Sequence, residues 1–234
     1  MPTSRRSQSP TLGRGLASRA RAVFLVGLTG GIASGKTEVS ERFVMAGAEL
    51  VDADAIAREI LLPGEEAYRK VVDHFGSDIL DDEGFIDRAA LGDIVFHDPS
   101  KRAVLNELTH PPVIARIADA LEVLTAYDGV VVLDVPLLVE TGMERGSEAV
   151  VVVACDPETQ IQRLVEHRGL SEGEARARLA SQAPLEAKLS VATHVIWNDG
   201  TLDELHARAD EVAADLAGKA REKAVAESKG VPND

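Results

Sequence analysis

The eight residues Gly30-Gly31-Ile32-Ala33-Ser34-Gly35-Lys36-Thr37 have the G-x-x-x-x-G-K-[ST] spacing of a loop that cradles phosphate. Glycines there let backbone N–H groups converge on an anion, and a helix starting at the end of the loop adds the positive end of its dipole. Lys36 brings a mobile positive charge. Thr37 places a hydroxyl where it can ligate Mg²⁺ bridging the β- and γ-phosphates of a nucleoside triphosphate. The expected nucleotide contacts are therefore Gly31, Ile32, Ala33, Ser34, Gly35, Lys36 and Thr37, with ATP as the nucleotide and Mg²⁺ as the metal.

A phosphate loop by itself leaves three uses open: transfer to water, transfer to a metabolite, or a switch held by the γ-phosphate. The segment Asp52-Ala53-Asp54 bears on that choice. An acceptor hydroxyl needs a carboxylate within hydrogen-bond reach to take its proton. Asp54 is assigned that role, although either aspartate can cap the helix that begins there. Arg58, four residues on, shares a helix face with Asp54 and either holds an anionic acceptor or forms a plain surface pair. Val130-Val131-Val132-Leu133-Asp134 reads as a strand ending in an aspartate available to the metal shell. His110, just before Pro111-Pro112, is either a substrate contact or a structural histidine. After Cys155, Gln160, Arg163, Arg168, Arg178, Gln182 and Lys188 put polar and basic groups on helices. Arginines on a mobile helical pair can close over a triphosphate and stabilise transferring charge, or simply form a solvated face.

These groups need a frame. Short apolar runs at 23–28, 49–51, 130–133, 150–154 and 195–197 read as strands buried on both faces. Helical periodicity falls near 36–46, 53–62, 65–75, 87–96, 100–125, 157–168, 171–181 and 201–217, with Pro111-Pro112 breaking the longest stretch and starting a new helix. Strands separated by helices imply right-handed crossovers and an α/β fold with a five-stranded parallel sheet covered on both sides. Two helical segments interrupt the alternation: about 55–125, between the second and third strands, and about 157–190, after Cys155. Both follow carboxyl ends of strands, where such folds build binding sites.

Composition narrows the partners. The 234 residues carry 25 basic and 39 acidic side chains, a net charge of −14, which argues against a general grip on nucleic acid or anionic lipid. Aromatics, at 3%, leave few rings for stacking bases. Small-molecule substrates are expected, on a monomer or weak homo-oligomer. A single cysteine excludes an internal disulfide and suits a reducing compartment, so a cytoplasmic location is expected. The first 21 residues hold Arg5, Arg6, Arg14, Arg19 and Arg21 and no acidic residue. They read as a disordered basic leader, a composition shared with organellar transit peptides. Residues 218–234, rich in Lys, Glu and Ala, are expected to fray.

From about Val23 to Leu216 the chain resembles the dephospho-coenzyme A kinase family. The resemblance rests on Gly27-Leu28-Thr29-Gly30-Gly31-Ile32 with Ser34-Gly35-Lys36-Thr37, on Asp52-Ala53-Asp54 with Ile56-Ala57-Arg58, and on Phe75-Gly76, Ile86-Asp87-Arg88 and Leu105-Asn106 with His110-Pro111. It continues through Asp134-Val135-Pro136-Leu137-Leu138-Val139-Glu140, Gln160 with Arg163, Gln182, Pro184-Leu185-Glu186 with Lys188, and Asn198-Asp199-Gly200. It implies a P-loop NTPase fold over 22–217, with a CoA-accepting, substrate-binding helical insertion at about 55–125 and a lid at about 157–190, and transfer of the ATP γ-phosphate to the 3′-hydroxyl of dephospho-CoA, the last step of coenzyme A synthesis. It further implies that Asp54 is the base, that Arg58, Arg88 and His110 lie on the acceptor side, that Arg163 lies on the lid, and that Asn198 and Gly200 lie near the adenine. The sequence departs from the family at Ala33, where another glycine is usual and which a P-loop tolerates if its φ is not positive. Thr193 stands in place of a usual aspartate, and Val139 in place of a common phenylalanine.

Overall fold

A computed structural model describes residues 23–125 and 127–230. The basic leader lies outside the described residues. Five strands, β1 (Phe24–Gly30), β2 (Glu49–Asp52), β3 (Val130–Asp134), β4 (Ala149–Ala154) and β5 (His194–Trp197), form one all-parallel sheet in the order β2-β3-β1-β4-β5. The first strand in sequence is thus central, and the loop leaving it opens at the carboxyl edge where ligands bind in such sheets.

Side-chain alternation explains why β3, up to Asp134, and β4 are apolar on both faces, whereas β2 and β5, expected to be buried on both faces, lie at the sheet's edges and expose Glu49, Leu50, Val195 and Trp197. Val130 and Val132 of β3, with Val151 and Val153 of β4, face one layer. That layer contains α1 (Lys36–Met45) and α10 (Leu202–Gly230), through Val39, Phe43, Leu205 and Leu216. Val131 and Leu133, with Val150 and Val152, face the other layer, where α2 (Ala53–Glu59) and α5 (Pro99–Leu124) supply Ile56, Ile60 and Ile117. A strand between two helical layers must be apolar at every position.

The insertion holds α2, α3 (Glu66–Phe75), α4 (Arg88–His97) and α5, with a small core of its own around Val71, Ile79 and Leu91. Aspartates start three of these helices: the side chains of Asp52, Asp87 and Asp98 accept from first-turn N–H groups of α2, α4 and α5. After the short α6 (Leu138–Thr141) and β4 come α7 (Pro157–Arg168), α8 (Glu172–Ala180) and α9 (Leu185–Leu189). Ser171 and Glu174 form a reciprocal capping box on α8.

Two expectations fail. The prolines do not break the long helix: α5 runs from Pro99 to Leu124 with Pro111 and Pro112 inside it. Proline removes the N–H that would reach the carbonyl four residues back, but α5 is gripped on both sides of the pair. Leu105 and Leu108 pack into the insertion core, and Ile117 and Leu121 pack under the sheet. The tail from 218 does not fray before Gly230; it is the second half of α10. Lys, Glu and Ala are strong helix formers. Ala220 is buried, and Lys223 Nζ donates to the Val23 carbonyl at 2.8 Å and pairs with Glu148.

Candidate active site

The loop between β1 and α1 is braced from outside by side chains distant in sequence. Gln160 Nε2 donates to the Ile32 carbonyl at 2.6 Å, Arg163 Nη1 to the Ala33 carbonyl at 3.3 Å, and Asn198 Nδ2 to the Ser34 carbonyl at 2.8 Å. In a trans peptide the next N–H points opposite to its carbonyl. Pulling these carbonyls outward therefore turns the N–H groups of Ala33 and Gly35 inward. Among the described residues neither of those N–H groups, nor that of Lys36 or Thr37, has a protein acceptor. Arg163 also donates to Asn198, at 3.0 Å to its carbonyl and 3.4 Å to Oδ1, so the two braces lock each other.

Two glycines make room for the bracing side chains. A Cβ on Gly31 would collide with Gln160 Nε2, and one on Gly35 with Asn198 Nδ2. Gly35 also has φ +90°. Ala33, expected to avoid positive φ, has φ +57°, the left-handed region in which a Cβ is strained. The bonds on either side of it hold it there. Ser34 Oγ, almost fully buried, has no protein partner, an orphaned group that a phosphate oxygen would satisfy. The loop fits a triphosphate on each count.

The acidic side of the site is brought together by strand register. Asp52 and Asp134 are paired Cα neighbours on β2 and β3, and Leu28 of β1 is the partner of Asp134 on its other side. Asp134 is buried and accepts a hydrogen bond from Lys36 Nζ. Burial raises its pKa, Lys36 opposes that, and the charges of Asp52 and Asp54 reinforce it, leaving it above the ordinary value. Asp52 Oδ1 caps α2, accepting from Asp54 N at 2.8 Å and Ala55 N at 3.0 Å, while its other oxygen lies 3.7 Å from Arg58. Asp54 takes no hydrogen bond or ion pair through its side chain among the described residues. Asp52 thus takes the capping role and leaves Asp54 unengaged, and Arg58 pairs with Asp52 rather than across one turn with Asp54.

Arg88 and His110 sit exposed, at the start of α4 and inside α5, two helices that pack on each other. No side-chain bond ties either to the phosphate loop. Gly200 lies in the turn before α10, where a Cβ would strike the Glu204 carboxylate that accepts from Thr201 N; its visible work is to let that helix start. Thr37 is exposed at the first turn of α1. Among the described residues no three or more His, Cys, Asp or Glu side chains converge as metal ligands. Thr193 ties the opposite end of the sheet, its hydroxyl accepting from Val150 N and donating to Val150 O, so the departure there is remote from the site.

Sequence reasoning assigned no role to Gln160, Gln182 or the Glu140–Lys188 pair. Gln182 Oε1 accepts from Ile32 N at 2.9 Å. Lys188, 1% exposed, donates to Glu140 at 2.8 Å and to the Pro136 carbonyl at 3.3 Å, and Glu140 also accepts from Ala183 N. The separations of these partners, 128 residues for Gln160 and 150 for Gln182, leave no local signal. Cys155 is buried, which pushes its thiol up to about 11 and keeps it protonated near neutrality. A cavity of about 490 Å³ opens beside Gly31, lined by Gln160, Gln182, Arg176 and Lys188. One of about 530 Å³ lies at the other end of the sheet, between Ala46–Ala48 and the second half of α10, away from this chemistry.

A central-strand loop shaped to face phosphate oxygens, beside a lysine and an unengaged carboxylate and packed against α7 and α8, places the protein in the class of P-loop kinases. A family model described as Dephospho-CoA kinase matches residues 24–204. A Streptomyces avermitilis protein named Dephospho-CoA kinase is 51% identical over 197 residues, 84% of this chain and 96% of its own. Among solved structures, TT1252 from Thermus thermophilus aligns at TM-score 0.70 and 31% identity, over 84% of this chain and 99% of that one. The dephospho-CoA kinase from Campylobacter jejuni aligns at 0.61 and 27%, over the same shares. The chain belongs to the dephospho-CoA kinase family.

Proposed function

We propose that this protein transfers the γ-phosphoryl group of ATP to the 3′-hydroxyl of the ribose of dephospho-CoA, giving CoA and ADP, the final step of coenzyme A synthesis. The observation that carries this reading is the unengaged Asp54 carboxylate, held by the Asp52 cap at the carboxyl edge of the sheet near Lys36 and Asp134. A carboxylate so placed takes the hydroxyl proton as the acceptor oxygen attacks, and Lys36 supplies positive charge on the triphosphate side, where Arg163 would add its own on leaving its bonds to Ala33 and Asn198. Arg58, Arg88 and His110 would meet the acceptor from the insertion at about 55–125, while Asn198 and Gly200 would lie near the adenine. The lid at about 157–190 would exclude water.

Thr37 and Asp134 are the residues that would meet Mg²⁺ arriving with the nucleotide; bound there, the ion neutralises charge on the β- and γ-phosphates. We place the enzyme in the cytoplasm as a monomer or weak homo-oligomer. No helix among the described residues is long and apolar enough to cross a membrane.

The test is ADP release from Mg²⁺-ATP with dephospho-CoA, run beside AMP, CMP, shikimate and no acceptor, with the product weighed by mass spectrometry. Release stimulated by dephospho-CoA alone, with a product heavier by one phosphoryl group, is expected. Stimulation by another acceptor would keep the fold and overturn the acceptor assignment.

A further inference from the structure

The two peptide groups that flank Ile32 are each held by a glutamine, from opposite sides of the lid. Gln160 lies on α7, where the lid begins, and takes the Ile32 carbonyl; Gln182 lies beyond α8, where the lid returns, and takes the Ile32 N–H. Ile32 and Ala33 also pack against Ile161, Leu164, Ala175 and Leu179 of α7 and α8, so the phosphate loop and the lid share one apolar cluster.

These two bonds have different work to do. The Gln160 bond orients the Ile32–Ala33 peptide, whose N–H points into the loop. The Gln182 bond orients the peptide before it, Gly31–Ile32, whose carbonyl accepts from Ser34 N at 3.1 Å. Glycine has the widest backbone freedom of any residue, so the Gly31–Ile32 peptide is the one most able to turn over. If it turned, the Ile32 N–H would enter the anion site and Ser34 N would lose its acceptor. Gln182 is itself placed from below, because the next residue, Ala183, donates its N–H to Glu140 at 3.1 Å, and Glu140 is held by the buried Lys188.

We propose that Gln182 is a positioning residue for phosphoryl transfer. By accepting the Ile32 N–H it locks the Gly31–Ile32 peptide, so that the anion site begins at the Ala33 N–H and the returning arm of the lid sets the shape of the phosphate loop. This assignment rests on the kinase reading for its kinetic arm alone; its amide-exchange arm needs no substrate.

The experiment compares the wild type with Gln182→Met, which keeps length and removes the strong acceptor, and Gln182→Glu, which keeps an acceptor oxygen. In the nucleotide-free protein, amide hydrogen exchange at Ile32 is expected to be slower than at Ala33 in the wild type. It is expected to quicken about tenfold in Gln182→Met and to return towards the wild-type rate in Gln182→Glu, as loss and recovery of one hydrogen bond require. With saturating substrates, kcat of Gln182→Met is expected to fall about tenfold with KM for dephospho-CoA within about twofold, since the lost interaction orients groups at the transferring phosphate. Gln182→Glu is expected to recover most of kcat while KM for ATP rises from the added negative charge. Ile32 exchanging as fast as Ala33 in the wild type would overturn the proposal without any variant. So would an unchanged kcat in a folded Gln182→Met protein, or an equal loss of kcat in both variants.

Discussion

The ammonium of Lys36, at the start of α1, donates to the carboxylate of Asp134 at the end of β3, a partner 98 positions away. Parallel pairing of β1 with β3 makes that meeting possible. The lysine expected to serve the triphosphate is therefore held by a buried acid, and binding a nucleotide means exchanging one anionic partner for another. Asp134→Asn keeps the shape and removes the competing charge. Metal-free ATP, titrated calorimetrically in the presence of a chelator, is expected to bind at least about fivefold more tightly to this variant, because a unit charge within several ångströms of a triphosphate is worth more than 1 kcal/mol. Unchanged or weaker binding would show that Lys36 does not trade partners.

The division between Asp52 and Asp54 gives a contrast. Asp54→Asn is expected to leave ATP affinity within about threefold and to lower turnover at least about a hundredfold, the scale of general-base catalysis. Asp52→Asn keeps a side chain that caps well and is expected to retain most of the turnover. Steady-state kinetics with nucleotide-binding titrations on both variants check the pair; comparable turnover losses would place the base elsewhere.

Ala33 lies at φ +57° and packs against the apolar cluster of α7 and α8. Glycine would relieve about 1–2 kcal/mol of strain and lose a similar amount in methyl burial and chain entropy, so Ala33→Gly is expected to unfold within about 1 kcal/mol of the wild type. A β-branched side chain is far less tolerable in this region. Ala33→Val is expected to cost at least about 2 kcal/mol in urea unfolding and to weaken ATP binding. A stable, tightly binding valine variant would contradict the left-handed backbone.

Burial would raise the Glu140 carboxyl, but the Lys188 hydrogen bond and the backbone N–H donors outweigh it and hold the group below its ordinary 4.5. A carboxylate with a lowered folded-state pKa contributes stability present above its unfolded value and lost as pH falls through the folded one. Glu140→Gln leaves Lys188 buried without its anion, at a cost of about 3 kcal/mol at pH 7. Chemical denaturation at several pH values is expected to show the gap from the wild type narrowing below pH 4.5. A gap independent of pH would mean that the pair contributes nothing electrostatic.

Parts of this protein are legible in the chain because their physics is local. The phosphate loop, the five apolar strands and most of the helices follow from residue type and spacing over a few positions. The prolines at 111–112 and the Lys, Glu and Ala tail mislead for the same reason, since local preference alone predicts a break at one and fraying at the other. Leu105, Ile117 and Ala220, buried against partners far along the chain, decided otherwise.

What the amino-acid sequence determined by itself was the existence of a phosphate-binding loop, a parallel α/β sheet to carry it, and the candidates Asp54, Lys36 and Asp134. Only the tertiary structure decided which aspartate caps and which is left unengaged, and that Ala33 takes a left-handed backbone. It also decided that Gln160, Arg163, Asn198 and Gln182 tie the loop from outside. Those outcomes depend on strand order and register, which bring residues about 100 to 160 positions apart within hydrogen-bond distance. The free energy that selects among such contacts is the burial of a core shared by both layers of helices, and no short window of sequence contains it.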